Sequence, residues 1–167
     1  MLIRDATEAE MEEVGQVRLS AYRAGGHISE ASQYAPYLRA LGADGNGDVL
    51  VAVATGSLDG TILGTVMLQF WPHAGQVVTG PSEAEIRALA VDPVAQSQGV
   101  GSALLRAVIE RAGARKVRHL VLLTQPGMRA AQRLYVAAGF ERLPDRDWSP
   151  APGDTLMAYG MQLADDS

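Results

Sequence analysis

The stretch that most constrains this chain is Leu89-Ala90-Val91-Asp92-Pro93-Val94-Ala95-Gln96-Ser97-Gln98-Gly99-Val100-Gly101-Ser102-Ala103-Leu104-Leu105. It reads as a strand, Glu85–Val91, that stops at Asp92-Pro93, followed by a short loop and a helix opening at Gly99. The helix carries Leu104, Leu105, Val108 and Ile109 on one face, and Gly113 is expected to end it. A helix that begins this way has amides without intrahelical acceptors, and its dipole adds positive potential there. The loop is therefore an anion site suited to phosphate, one that backbone amides form without a lysine. Gly99 and Gly101 lack a Cβ, so a phosphate group can approach the main chain closely.

Two familiar glycine loops do not fit. A dinucleotide fold asks for G-x-G-x-x-G, and the third glycine position here is Leu104. A triphosphate loop needs a lysine after its second glycine, and the single lysine of the chain is Lys116. What remains is Gln96-x-x-Gly99-x-Gly101 at a strand-to-helix turn.

The rest of the chain alternates short strands and helices. Leu2–Ala6 reads as a strand, and Thr7-Glu8-Ala9-Glu10 as a capping box opening a helix with Met11, Val14 and Val17 on its apolar face. Gly25-Gly26 breaks that helix, and a second is expected over Glu30–Leu41. Val49–Ala54 and Thr61–Phe70 read as a hairpin turning at Asp59-Gly60. Val117–Thr124 reads as a buried strand, and a helix follows Pro126-Gly127 up to Gly139, where a left-handed residue is wanted. Phe140–Leu143 begins a strand, Pro144, Pro150 and Pro152 mark a loop, and Thr155–Leu163 is the last strand. The order β-α-α-β-β-β-α-β-α-β-β predicts one mixed α/β domain over residues 1–167, without a linker or repeat to divide it.

Composition narrows the partners. A net charge of −5 argues against a nucleic-acid binder that works through a basic face. No apolar run approaches the ~20 residues of a membrane helix, and no secretion signal is visible, so a cytoplasmic protein is the expectation. The absence of cysteine excludes disulfides, thiolate metal sites and cysteine nucleophiles. His27, His73 and His119 lack metal-ligand spacing, and Asp44-Gly45-Asn46-Gly47-Asp48 departs from a calcium loop at Val49 and Thr55, so no metal is expected. The acidic excess lies in the first 83 residues, with ten acidic and four basic groups. Either that is a solvated acidic helix or it is a field that draws in a cation.

Gln96-x-x-Gly99-x-Gly101 after Leu89-Ala90-Val91-Asp92-Pro93, followed by Ala131-x-x-Leu134-Tyr135-x-x-x-Gly139-Phe140, resembles the GCN5-related N-acetyltransferases (GNAT) over nearly the whole chain. The resemblance implies a central mixed, mostly antiparallel sheet flanked by helices, with acetyl-CoA as cosubstrate. Gln96, Gln98, Gly99, Val100, Gly101 and Ser102 would form the pyrophosphate loop, and the backbone of Leu89 and Val91 would pair with the pantetheine like an added strand. That pairing requires the strands Glu85–Val91 and Val117–Thr124 to splay apart. Tyr135 matches the family's general acid, and Glu85 the catalytic glutamate of some members. A satisfied core tyrosine and a glutamate paired with Arg87 are the structural alternatives.

The sequence departs from the pattern at Met128, where many members carry a cofactor-contacting asparagine, so that contact is either missing or replaced by Thr124 or Arg129. Gln96 stands where arginine is common. His27 and Asp147-Trp148 are hints toward the acceptor site.

The reaction expected is direct attack of an amine on the thioester in a ternary complex, since no cysteine or Gly-x-Ser-x-Gly elbow offers a covalent route. The acceptor would be a primary amine of a small molecule or peptide, and a homodimer is an assembly the family often forms. Two alternatives stay open: a non-catalytic acyl-CoA-binding module, and transfer from another acyl-CoA.

Overall fold

The computed structural model describes residues 1–28, 34–56, 59–75 and 77–163. Its elements are β1 (Leu2–Asp5), α1 (Met11–Ala24), α2 (Ala35–Ala40), β2 (Asp48–Val53), β3 (Ile62–Phe70), β4 (Glu83–Val91), α3 (Val100–Ala114), β5 (His119–Thr124), α4 (Arg129–Ala138), β6 (Glu141–Arg142), β7 (Trp148–Ala151) and β8 (Asp154–Gln162). They form the expected open mixed sheet flanked by helices. The chain divides into two compact units, Met1–Met67 with Ala88–Val108, and Leu68–Arg87 with Ile109–Ser167.

In the first unit the strand order is β1-β2-β3-β4. β1 runs antiparallel to β2, with Leu2 opposite Val53 and Asp5 opposite Leu50. The expected hairpin of β2 and β3 closes through the Ala54 N–H on the Thr61 carbonyl, 2.8 Å apart. The capping box is present, with Glu10 Oε1 accepting the Thr7 N–H at 2.9 Å, although a 3-10 turn (Glu8–Glu10) precedes α1. The apolar stripe of α1 does what its spacing predicts: Val14 and Val17 join Val49, Val51, Val53, Ile62 and Met67 in one core cluster.

α1 and α2 cross where α1 has no side chain, since a Cβ on Gly15 would lie 2.7 Å from Arg39. Arg18, fully buried beneath that crossing, donates to the carbonyls of Leu38 (3.1 Å) and Leu41 (2.6 Å), the open acceptors at the end of α2. Of the helix expected over Glu30–Leu41, Ala35–Ala40 is observed; residues 30–33 lie outside the described residues. α3 packs on β3 at a second glycine, because a Cβ on Gly64 would meet Val100 and the Ala90 carbonyl at 2.9 Å each.

In the second unit the order is β4-β5-β8-β6, with β7 on β8. β5 is parallel to β4, with Glu83 opposite His119 and Ile86 opposite Leu122. β8 is antiparallel to β5 and to β6. α4 ends as its sequence predicts: Gly139 has φ +108°, and the Phe140 N–H bonds the Tyr135 carbonyl at 3.0 Å.

Three expectations need correction. α3 passes through Gly113, because glycine costs a helix only about 1 kcal/mol relative to alanine. It closes instead through Lys116 (φ +62°), with the Val117 N–H on the Ala112 carbonyl at 3.0 Å. The proline-marked loop contains a strand, β7, which tolerates Pro150 because it pairs only with β8 and its register shifts between Trp148 and Ala151. The strand after Phe140 is two residues long, Glu141–Arg142.

Candidate active site

In the first unit the chain leaves β4 through a turn held at both ends. The Asp92 N–H bonds the Leu63 carbonyl of β3 at 2.8 Å, and the Asp92 side chain accepts the Val94 N–H at 3.0 Å. Backbone groups alternate sides along a strand, so with Asp92 turned toward β3 the main-chain groups of Leu89 and Val91 face away from it. The chain then takes two left-handed residues, Ser97 (φ +67°) and Gly99 (φ +79°), before α3 begins. The first helical bond runs from the Ala103 N–H to the Gly99 carbonyl (3.1 Å), so the amides of Val100, Gly101 and Ser102 precede it. Gln96, Ser97, Gln98, Gly99 and Ser102 are exposed, while the Val100 side chain is buried and fixes the helix start on the core. A Cβ on Gly99 would meet nothing within 4 Å, so this position needs glycine for its backbone angle rather than for room. Amides that precede the first helical bond, beside a loop of exposed residues, are of the kind that suits an anion.

In the second unit, β4 pairs with β5 only from Glu83 to Ile86, the first four of its nine residues. Pairing ends two residues before Ala88, whose φ of +53° interrupts the plain alternation of the strand.

Glu85 is inside the protein, with 4% of its surface exposed. Burial pushes its carboxyl above the ordinary value, against the opposing pull of Arg87 and of the Gly75 N–H. That N–H donates to Oε1 at 2.8 Å, whereas Arg87 Nε approaches Oε2 only to 3.9 Å. Arg87 instead donates to Gln69 Oε1 at 3.0 Å, so the glutamate–arginine pair is a loose one. Tyr135 is buried on α4, with its ring centroid 5.8 Å from Phe140 and 6.3 Å from Tyr159. At the departure from the family pattern, the Thr124 hydroxyl donates to Met128 Sδ at 3.6 Å, so these two side chains engage each other.

A cluster that sequence reasoning missed lies two residues before Glu85. Glu83 receives His119 Nδ1 on Oε2 (2.6 Å), Arg146 on both oxygens (2.9 and 2.8 Å), and the N–H and hydroxyl of Thr79 on Oε1 (3.0 and 2.9 Å). Burial alone would raise Glu83, but the donors from His119, Thr79 and Arg146 outweigh it and hold the group at about 2. The available signal was two carboxylates two apart within an apolar strand, a pattern that demands buried partners.

His119 is thereby structural. Asp147 is a brace as well, accepting Arg142 at 2.7 and 2.8 Å and the Ala158 N–H at 2.8 Å. Among the described residues no group of acidic, histidine or cysteine side chains is placed to hold a metal, and no helix is long and apolar enough to cross a membrane.

The model of the acetyltransferase (GNAT) family matches residues 12–140. No curated protein matches significantly. Among solved structures, a GNAT-family acetyltransferase from Staphylococcus aureus Mu50 is 19% identical with a TM-score of 0.73, covering 98% of this chain and 99% of that one. A ribosomal-protein-alanine N-acetyltransferase from Brucella melitensis is 23% identical with a TM-score of 0.67, covering 98% and 100%. A phosphinothricin acetyltransferase from Sinorhizobium meliloti, solved with acetyl-CoA, is 20% identical with a TM-score of 0.69, covering 97% and 88%. The family model spans most of the chain, and its class is that of the acyl-CoA-dependent N-acetyltransferases. The chain belongs to the GNAT family.

Proposed function

We propose that this protein moves an acetyl group from acetyl-CoA to a primary amine of a small molecule or peptide, by direct attack in a ternary complex within one domain spanning residues 1–167. The observation that carries the reading is the start of α3, where the amides of Val100, Gly101 and Ser102 come before the first helical bond. With Gln96, Gln98 and Gly99 they would hold the diphosphate, and the outward main chain of Leu89 and Val91 would pair with the pantetheine. Bound acetyl-CoA supplies the acetyl thioester.

The remaining work falls to side chains of this chain. An ammonium with a pKa of about 10 must lose a proton before its nitrogen can bond to a carbonyl carbon. Glu85 takes that proton, and its raised carboxyl brings it closer to the working pH of a general base. Tyr135 returns a proton to the departing sulfur as the carbon–sulfur bond breaks.

Isothermal titration of acetyl-CoA into the purified protein, followed by CoA release against an amine panel, tests the reading. Binding with turnover is expected; absence of binding overturns it. The competing reading is a non-catalytic acyl-CoA-binding module, favoured by Met128 held on Thr124 where a polar cofactor contact is usual. Binding without CoA release on any amine would establish that reading instead. Competition among acetyl-, propionyl- and succinyl-CoA reads the donor preference, with acetyl-CoA expected to prevail.

A further inference from the structure

The connection between β3 and β4, described over residues 71–75 and 77–82, touches Glu85 through its backbone. The Gly75 N–H donates to Oε1 of that carboxylate at 2.8 Å. A Cβ at Gly75 would sit 2.9 Å from the same oxygen, so any side chain there must push the carboxylate aside. Four residues on, the connection is tied down again, with Thr79 bonding Glu83 through both its N–H (3.0 Å) and its hydroxyl (2.9 Å). Arg146 and His119 hold the other side of Glu83, at 2.8 and 2.6 Å on Oε2. Ala74, Val77 and Val78 pack with Val121 and Ala158, so the segment is seated on the sheet at both anchors.

We propose that this connection is a positioning device for the base: Gly75 orients and holds the Glu85 carboxylate, and the Thr79–Glu83 anchor holds Gly75 in place. The inference rests on Glu85 acting as the general base. Among the described residues, the charged group that acts on Glu85 is Arg87 on its own strand, 3.9 Å away, and Glu83 lies two residues earlier. Glu83 is itself matched by Arg146 and His119 from the elements packed against it. An N–H donated to a carboxylate favours the ionised form. Releasing it raises the pH at which Glu85 gives up its proton, by about one unit for a hydrogen bond to a charged group.

One substitution disturbs that bond directly and another loosens its anchor, neither changing a charge. Gly75→Ala places a methyl against Oε1, and Gly75 is not in the left-handed region, so its backbone accepts alanine. Thr79→Val removes the hydroxyl from the anchor. The experiment titrates the full chain, carrying carboxyl-13C glutamate, by NMR, with Glu85→Gln identifying the Glu85 signal. Alongside it, kcat and its pH profile are measured on the best amine from the panel.

G75A is expected to raise the Glu85 midpoint by about one pH unit. It should move the acidic limb of kcat upward with it and lower kcat roughly 10- to 100-fold, with KM for acetyl-CoA unchanged. T79V is expected to do the same to a smaller degree. A Glu85 midpoint and kcat unchanged in G75A overturn the proposal, and a T79V protein identical to wild type strikes out the anchor. E85Q working at the wild-type rate would instead overturn the base assignment itself, and this inference with it.

Discussion

Glu83 and Glu85 share one strand, one side and near-complete burial, yet their surroundings drive them apart. Glu83, ringed by donors, is held at about 2, whereas Glu85 has one N–H and a distant guanidinium and is pushed upward by burial. The first is held charged, and the second is the one the proposed mechanism uses as its base. Glu85→Gln should lower kcat by roughly 10²- to 10⁴-fold, and the wild-type rate should fall on the acid side at a pH above the ordinary carboxylate value; a steady-state pH profile measures both. Tyr135→Phe should lower kcat by a similar factor while sparing acetyl-CoA affinity, as calorimetry would show. Because the Glu83 carboxyl titrates lower when folded than its ordinary 4.5, its stabilisation is complete above pH 4.5 and is lost as pH falls toward about 2. Thermal melts from pH 6 to pH 2 should show that loss, and Glu83→Gln should flatten it.

The elements were legible where periodicity or a backbone requirement spoke. The stripe of Val14 and Val17, the run into Asp92-Pro93 and the left-handed stop at Gly139 all appear as the residues dictate. Gly139→Ala should cost about 1–2 kcal/mol, because φ is +108° there, which a lowered melting temperature would show. The sequence misleads where a single residue type resembles a stop signal. Gly113 did not end α3 and Pro150 did not exclude β7, because a single local penalty yields to packing and to an edge position. The left-handed Ala88 and Ser97 were out of reach, since neither residue type asks for that geometry. Yet Ala88 lies where β4 leaves its partner, and Ser97 shapes the turn into α3. Likewise the family pattern singled out Glu85, while the anchor at Glu83 depends on Arg146 and His119, 63 and 36 residues away in sequence. No local pattern encodes such contacts.

For the molecule as a whole, the family and the fold follow from two glycines, a Leu-Tyr pair and the order of the elements, whereas the acceptor does not, because fold does not dictate substrate. The net charge of −5 still carries a consequence for an acceptor that is a cation. At saturating acetyl-CoA, kcat/KM for a cationic amine should fall as salt rises from low to physiological levels, and for a neutral analogue it should not. Everything proposed for catalysis depends on the start of α3 receiving a diphosphate. The most direct measurement is calorimetric titration with acetyl-CoA of the wild-type protein beside Gly101→Pro, which removes one of the amides. Saturable binding by the wild type, weakened at least tenfold in a folded G101P protein, is the predicted result. Equal affinity in the two, or no binding by the wild type, would contradict the account.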